Sequence, residues 1–144
     1  MIDRTNDEQV LAATVYGEAR GEPLAGKHAV ACVVMNRVAA TKARLRRQFG
    51  TGTAASACLA PWQFSSWNDN DPNRAEMEAL DFANPYPVLA DCIDTARAAL
   101  AGRLVDITGG ATFYKVTSLP WPHDWGAVVE PVAVVGHHSF YRLP

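Results

Sequence analysis

The feature that most constrains the fold is the stretch Val-Tyr-Gly-Glu-Ala-Arg-Gly-Glu-Pro at residues 15–23, where one amphipathic helix ends and another begins. Upstream of it, apolar residues recur at helical spacing and predict a helix over about residues 7–20 with one apolar face. Pro23 suits the first turn of a second helix, predicted over about residues 23–40. We therefore expect a helical hairpin whose elbow lies at residues 20–22.

Glu18 has the most unusual position within this stretch. It lies three residues after Val15 and seven after Leu11, at the edge of the apolar face. A carboxylate near a helix C-terminus opposes the helix dipole, and partial desolvation favours the neutral acid. A protonated carboxyl that opens towards a cleft is what a general acid requires. We therefore predict a catalytic role for Glu18, whereas Glu22, beside Pro23, is interpreted as ordinary helix capping.

The rest of the chain predicts more helices and then short strands. Helices are predicted over about residues 53–59, 74–82 and 88–101, and strands over 111–116, 131–135 and 139–142. The residues expected to form the buried stripe of the second helix are Leu24, His28, Ala31, Cys32, Met35, Val38 and Ala39. The fold class predicted is α+β and mainly helical, a single domain over residues 1–144 with a small C-terminal antiparallel β-element.

The segment Pro-Trp-Gln-Phe-Ser-Ser-Trp, after the third predicted helix, mixes aromatic and polar side chains. Sugar-binding sites use flat apolar faces for stacking and amides or hydroxyls for the hydroxyls of the rings. We expect Gln63 and Ser65 to face a cleft and Phe64 to lie in the core. The alternative is ordinary packing, with Trp62 as a second core anchor and Trp67 at the surface.

Composition excludes several classes of protein. Of 144 residues, 49% are hydrophobic and 19% are charged, and a net charge of −2 argues against nucleic acid as the main partner. Three widely spaced cysteines, without a C-x-x-C pair, argue against a disulfide framework and for a reducing compartment of synthesis. The basic residues Lys42, Arg44, Arg46 and Arg47 are interpreted as a solvated helix end or loop.

Five segments, taken together and in this order, resemble the SleB/CwlJ family of cell-wall hydrolases. They are residues 16–23, 29–38, 61–67, 111–114 and 135–141. The resemblance runs from about Leu11 to Arg142 and so covers nearly the whole chain. It implies a small lysozyme-like, lytic-transglycosylase-like catalytic domain that cuts the glycan strands of peptidoglycan.

Glycoside cleavage normally needs a proton donor and a second carboxylate. In this sequence only Glu18 lies in a motif suited to the task, since Asp69, Asp71, Asp124 and Glu130 have no fixed relation to it. A lytic transglycosylase needs no second carboxylate, because the 6-hydroxyl of the muramic acid itself attacks the anomeric carbon and closes a 1,6-anhydro ring. The resemblance implies this outcome, and a hydrolytic muramidase is the alternative.

Four further side chains are candidates for binding the glycan. Tyr114 and Tyr141, near the ends of predicted strands, are placed to hydrogen-bond Glu18 or an acetamido group. Trp121 and Trp125, in a long loop before the second strand, are candidate platforms for sugar rings. Ordinary packing is the alternative for each of them. The resemblance places Gln63 in the substrate-facing loop of lysozyme-like enzymes.

Two other classes of protein compete with a glycosidase. A metal-dependent amidase or peptidase would need ligands from His123, Asp124, His137 and His138, but adjacent strand residues point to opposite faces and no H-E-x-x-H spacing occurs. We therefore expect no metal and no cofactor. The other competitor is a non-catalytic module that binds peptidoglycan, against which the intact Glu18 argues.

The start of the chain bears on how the protein reaches its substrate. The first eight residues lack an apolar signal core, and no stretch is long enough to span a membrane. We therefore expect a monomer made in the cytoplasm that acts on peptidoglycan strands. We expect it to reach the wall as a phage endolysin released through a separate pore, and the alternative is a spore-associated protein deposited by the mother cell.

Overall fold

The structure, a computed structural model, describes residues 2–42 and 47–143. Its helices are α1 (Asp7–Ala19), α2 (Leu24–Lys42), α3 (Ala54–Leu59), α4 (Pro72–Glu78) and α5 (Pro87–Leu100). Its strands are β1 (Phe113–Val116), β2 (Ala133–Val135) and β3 (His138–Tyr141), which form one antiparallel sheet in the order β1-β3-β2. The mainly helical α+β class with a small C-terminal antiparallel sheet is thus confirmed.

The basic residues Lys42, Arg44, Arg46 and Arg47 have side chains outside the described part of the chain. Their predicted solvated setting therefore stays a prediction. Within the described ranges, no helix combines the length and the apolar character needed to cross a membrane.

Helix α1 lies at the centre of the helical part of the protein. Asn6 caps it by accepting a 3.0 Å hydrogen bond from the backbone N–H of Gln9. Residues 10–16 are all buried, because α1 packs against α2, α3, α4 and α5. The prediction that only one face of α1 is buried was therefore wrong, because four neighbouring helices cover it on several sides.

Helix α2 lies between two apolar clusters and differs from the predicted stripe. Leu24 is 52% exposed and Ala39 is also exposed. Val30 and Val34 face the main helical core, whereas Ala29 and Val33 belong to a second cluster with Ala111 and Phe140 of the sheet side. Because opposite faces of α2 are covered, a single stripe could not describe its burial.

Two adjacent side chains of α2 fix the chain that leads into β1. Asn36 donates from Nδ2 to the carbonyl oxygen of Ala111 at 2.9 Å, and Arg37 donates from Nε to that of Thr112 at 2.7 Å. Hydrogen bonds to buried backbone carbonyls are costly to lose. This pair therefore determines where β1 lies relative to the helices.

Glu22, interpreted from the sequence as a capping residue, instead turns inwards and holds the turn between β2 and β3. It is 8% exposed and accepts hydrogen bonds from the backbone N–H of His137 at 2.9 Å and from its ring Nδ1 at 2.8 Å. Gly136 has a φ of 58°, and a Cβ there would lie 3.1 Å from the Glu22 carboxylate. The turn therefore approaches the carboxylate as closely as a glycine allows.

The same carboxylate lies beside His138, whose Nδ1 is 3.0 Å from Glu22 Oε1 in a geometry that forms no hydrogen bond. Burial alone would raise the pKa of Glu22, but the hydrogen bonds from His137 and the charges of both histidines lower it overall. Burial lowers the pKa of His138 in spite of the nearby carboxylate. The folded protein therefore favours an ionised Glu22 and a neutral His138.

The three cysteines are buried free thiols. Burial raises the pKa of Cys58 to about 12 and that of Cys92 to about 11, and it also raises the pKa of Cys32. Thiols of this kind remain protonated and behave as small hydrophobic side chains.

Gly17 allows α1 to approach its neighbours, and we predict that Gly17→Ala lowers the free energy of unfolding by about 1 kcal/mol. A Cβ there would lie 2.5 Å from Met77 Sδ and 3.0 Å from Ser66 Cβ, both in buried residues. Overpacking costs about 1–3 kcal/mol, which exceeds the gain in helix propensity of about 1 kcal/mol. Urea unfolding measures the difference.

The matched control is Gly21→Ala, because a Cβ at Gly21 meets nothing within 4 Å. Its stability should be unchanged or higher by about 0.4–1 kcal/mol. A Gly17→Ala protein as stable as the parent would contradict the close approach.

We also predict that stability falls as the pH is lowered from 7 to 4. The pKa of His138 in the folded protein lies below its ordinary value of 6.5, so the unfolded chain binds more protons below that pH and unfolding is favoured. The pKa of Glu22 also lies below its ordinary value of 4.5, so its contribution is lost as the pH falls through the lower value. His138→Gln should flatten the slope between pH 7 and 5 in urea unfolding, and an unchanged slope would refute this.

Candidate active site

A cleft of about 730 Å³ opens beside the last turn of α1, between the helical part and the sheet. Its polar and charged lining residues are Glu18, Arg37, Gln48, Gln63, Ser65, Tyr114 and Asp124. Trp62, Phe113 and Trp125 supply aromatic surface to its wall. A concave site with a few convergent polar groups and aromatic walls is typical of a ligand-binding or active site.

Glu18 is half-buried in this cleft and is held by the sheet. Tyr114 of β1 donates a hydrogen bond from its phenol to Glu18 Oε1 at 2.5 Å. Burial and the Glu18 charge raise the pKa of Tyr114 well above its ordinary value, so the phenol remains a donor. Since Oε1 is occupied, Oε2 is the oxygen available to a ligand.

The ring of Tyr114 is fixed on several sides. Its centroid lies 5.1 Å from that of His138, 5.6 Å from that of Phe140 and 6.4 Å from that of Phe64. Phe64 is buried in the core, as the sequence predicted. A rigid ring gives a fixed direction to the hydrogen bond with Glu18, which a catalytic site requires.

Arg37 brings a buried positive charge to the same cleft. It is 3% exposed, and its guanidinium carbon lies 4.7 Å from the ring centroids of both Phe49 and Phe64. Burial lowers the pKa of Arg37 to about 10, with the charges of Tyr114, Cys58 and Glu18 opposing this shift. The guanidinium therefore stays protonated at neutral pH, and its buried Nη1 has no partner within the described residues.

No role was predicted for Arg37 from the sequence, although a signal was present. Residues 29–34 are apolar throughout, and Arg37 follows them one turn later on a helix with buried faces. A charged side chain there is either paired or functional.

The remaining predicted binding residues divide into two groups. Gln63 and Ser65 line the cleft, together with Tyr114. Trp121 and Tyr141 do not appear among its described lining residues, and Tyr141 is only 6% exposed. The structure therefore does not bring these two side chains to the cleft lining, and their direct contact with a sugar stays a prediction.

Trp121 and Tyr141 instead support Trp125, which does line the cleft. The ring centroid of Trp121 lies 5.0 Å from that of Tyr141 and 5.2 Å from that of Trp125. Trp121 also donates from its indole N–H to the carbonyl oxygen of Gly126 at 3.0 Å. Edge-to-face contacts of this kind fix the ring that faces the ligand.

Asp124 is a second carboxylate on the cleft wall, which the sequence named only among the acids without a fixed relation to Glu18 and among the ligands of a competing metal site. It lies in the short 3₁₀ turn His123–Trp125 and is exposed. The sequence placed it in a loop with aromatic residues on either side, but nothing in the spacing related it to Glu18. By contrast, Asp71 caps α4 by accepting from the backbone N–H of Asn73, and Asp69 pairs with Arg74.

The described residues offer no group of three or more His, Cys, Asp or Glu side chains arranged to hold a metal ion. His137, in the turn between β2 and β3, and His138, the first residue of β3, both contact Glu22.

Two solved structures with a similar fold are SleB catalytic domains. The protein is similar to the catalytic domain of the SleB protein of Bacillus cereus, with a TM-score of 0.68 and 26% identity over 96% of this chain and 91% of that one. It is also similar to the catalytic domain of the germination-specific lytic transglycosylase SleB of Bacillus anthracis, with a TM-score of 0.64 and 26% identity over 94% and 93%. The lysozyme-like fold expected from the sequence agrees with these neighbours.

Similar curated sequences are larger proteins. The spore cortex-lytic enzyme of Oceanobacillus iheyensis is 61% identical over an alignment of 86 residues, which covers 56% of this chain and 29% of that protein. The spore cortex-lytic enzyme of Bacillus subtilis is 36% identical over an alignment of 86 residues, which covers 56% of this chain and 26% of that protein. The matched part of the chain thus spans less than a third of the length of each of these two relatives.

The family described as Cell Wall Hydrolase matches residues 21–141, which is most of the chain. Glu18 lies three residues before the start of this match, whereas Glu22, Arg37 and Tyr114 lie within it. The resemblance found in the sequence motifs is confirmed, and the chain belongs to the cell wall hydrolase family.

Proposed function

We propose that this domain cleaves the glycan strands of bacterial peptidoglycan between N-acetylmuramic acid and N-acetylglucosamine, as a lytic transglycosylase. The observation that carries the proposal is the setting of Glu18, a half-buried carboxylate with one oxygen bound by Tyr114 and the other open to the cleft. The similar catalytic domain from Bacillus anthracis is named a germination-specific lytic transglycosylase, which supports the same class of reaction.

The proposed reaction uses Glu18 twice. In its acid form, Glu18 gives a proton to the glycosidic oxygen, and the bond from that oxygen to the anomeric carbon of the muramic acid breaks. The resulting carboxylate then takes the proton of the 6-hydroxyl of the same muramic acid. The oxygen of that hydroxyl bonds to the anomeric carbon, so a 1,6-anhydro ring forms, Glu18 is protonated again and no water is consumed.

Arg37 and Tyr114 have distinct tasks in this proposal. Once Glu18 has given up its proton, the buried positive charge of Arg37 stabilises the carboxylate in a setting where water screens little. Tyr114 fixes the direction of the carboxyl group and leaves Oε2 facing the substrate. Gln63, Ser65 and Trp125 supply hydrogen bonds and an aromatic surface for the sugar.

A hydrolytic muramidase is the second candidate, and Asp124 is the observation that favours it. Hydrolysis needs a second carboxylate as a nucleophile or as a base for water, and Asp124 lines the same cleft as Glu18. Asp124 is exposed on a turn and accepts no hydrogen bond from a described side chain, so it lacks the fixed direction of Glu18. We therefore prefer the reaction that needs Glu18 alone.

The biological setting is also part of the proposal. The sequence suggested an endolysin first and a spore-cortex enzyme as the alternative. The relatives are named spore cortex-lytic enzymes, which supports the second setting. The cell wall is in both cases the place of action, and peptidoglycan strands are the partner.

The products distinguish the two reactions, and we predict fragments that end in 1,6-anhydromuramic acid. Glu18→Gln should lower their release from purified peptidoglycan on the order of 10²–10⁴-fold, because the general acid is lost. Asp124→Asn should keep the same products at a rate within a few-fold of the parent. Mass spectrometry of the released fragments measures both.

Reducing-end muramic acid, together with an inactive Asp124→Asn protein, would establish hydrolysis with Asp124 as the second carboxylate. Full activity of Glu18→Gln, or release of peptide stems alone, would refute the proposed reaction altogether.

We further predict that Tyr114→Phe lowers kcat by about 10–100-fold, since a hydrogen bond to a charged group contributes about 1.5–3 kcal/mol. The ring remains packed, so KM should change little. The matched control is Tyr16→Phe, which removes a phenol that donates to Glu76 at 2.5 Å and lies outside the cleft lining. Steady-state rates on soluble glycan measure both, and equal losses in the two variants would contradict a specific role for Tyr114.

A further inference from the structure

Trp62 has a backbone conformation that is unusual for so large a side chain. Its φ is 65°, in the left-handed region that favours glycine, and it is the one non-glycine residue with a positive φ in the described ranges. It occupies the third position of the turn Ala60–Gln63, which the N–H of Gln63 closes by donating to the carbonyl oxygen of Ala60 at 3.2 Å. Glycine or asparagine normally takes such a position.

The packing of Trp62 does not explain this conformation. The side chain is 84% exposed, and within the described part of the protein it makes no hydrogen bond and no contact with another aromatic ring. The fold therefore gains little from the indole and carries the strain of the backbone. Strained residues of this kind cluster at functional sites.

A second groove, of about 520 Å³, lies next to Trp62. Its lining residues are Pro61, Trp62, Trp67, Asn68, Asp69 and Asn70. Trp62 also lines the cleft that contains Glu18, so its side chain borders both depressions. The sequence had assigned Trp62 to the core and Trp67 to the surface in its alternative reading, and the structure has the reverse.

The lining of this second groove combines an aromatic floor with free amides. Trp67 is buried and donates its indole N–H inwards to Thr14 Oγ1 at 2.8 Å, and the guanidinium carbon of Arg4 lies 5.2 Å from its ring centroid, so only part of its ring surface borders the groove. The side-chain amides of Asn68 and Asn70 bind no other described residue. Flat apolar rings beside unoccupied amides are suited to a pyranose ring and its hydroxyls.

We propose that the second groove is an additional saccharide subsite, with Trp62 as a stacking platform between it and the catalytic cleft. This inference rests on the proposed function and extends it, because the subsite holds the same glycan strand beyond the bond that is cut. Contacts between the protein and sugars remote from the scissile bond then help to position the strand over Glu18.

Sugar rather than peptide is the occupant that the lining favours. The one ionised side chain of the groove is Asp69, which is anionic and already paired with Arg74. The stem peptides of peptidoglycan carry carboxylates, which a groove without a free cation does not attract. A neutral N-acetylglucosamine ring meets no such opposition.

The test uses Glu18→Gln as the parent, so that bound glycan is not consumed. Soluble peptidoglycan glycans of two and six sugars, stripped of peptide, are titrated by calorimetry. The six-sugar glycan should bind more tightly than the two-sugar one, and Trp62→Gly should weaken binding of the six-sugar glycan by about tenfold. Trp62→Phe should recover most of that affinity, because it retains an aromatic face.

Melting temperature separates a binding role from a structural one. Trp62→Gly should melt at the same temperature as its parent or higher, because glycine relieves the positive φ. The control is Val105→Gly, since Val105 is 78% exposed, has no positive φ and lines neither depression. Val105→Gly should lower the melting temperature and leave the affinities for the two-sugar and six-sugar glycans unchanged.

Equal affinity of the parent and Trp62→Gly for the six-sugar glycan would overturn the subsite, as would a loss of affinity accompanied by a lower melting temperature. A parent that binds neither glycan would overturn both the subsite and the proposed function. If the wild-type protein binds the six-sugar glycan through Trp62 but releases no fragments from peptidoglycan, the subsite stands and the proposed cleavage alone is refuted.

Discussion

The hydrogen bond from Tyr114 to Glu18 is the contact on which the cleft depends, because it joins the sheet to the central helix. Its two residues are 96 positions apart in the chain. A bond between such distant residues keeps its geometry only if both backbones are fixed. Asn36 and Arg37 fix the entry to β1, and Glu22 fixes the far turn of the sheet.

Arg37 links this architecture to electrostatics. It holds the backbone before β1 through Nε, yet its buried Nη1 has no partner within the described residues. Removing a cation from water is costly, and the aromatic faces of Phe49 and Phe64 compensate only in part. Burying the charge of Arg37 with only partial compensation lowers the stability of the fold. A destabilising charge next to the candidate acid Glu18 is typical of a functional residue.

Residue spacing and turn residues predicted the helices and strands, whereas tertiary contacts determined which of their side chains are buried. The hairpin and the strands were predictable because helical spacing, Pro23 and the glycines before β1 act over a few residues. The exposure of Leu24 was not predictable, since periodicity does not report how many elements cover a helix. Trp62 and Trp67 are chemically identical, yet the first is exposed on a turn with a positive φ and the second is buried with its indole bonded to Thr14.

The candidate site was predictable to the same extent. Glu18 was detectable because it opposes a local preference, and Tyr114, Gln63 and Ser65 because they lie in recognisable motifs. Asp124 was not related to Glu18 by any spacing, since the two residues come to line one cleft only in the folded chain. Trp121 and Tyr141 were read as ligand contacts because sequence does not separate an aromatic ring on a wall from one that supports it.

Glu18 and Glu22 show how one short motif supplies two different kinds of carboxylate. Both oxygens of Glu22 lie against the histidine pair of the β2–β3 turn, and the carboxyl group is nearly inaccessible. The Glu22 carboxylate therefore has a structural role, and its lowered pKa keeps it ionised. Glu18 has one oxygen bound and one open to the cleft. A general acid must exchange its proton with a ligand, and of the two carboxylates only Glu18 has an oxygen with which to do so.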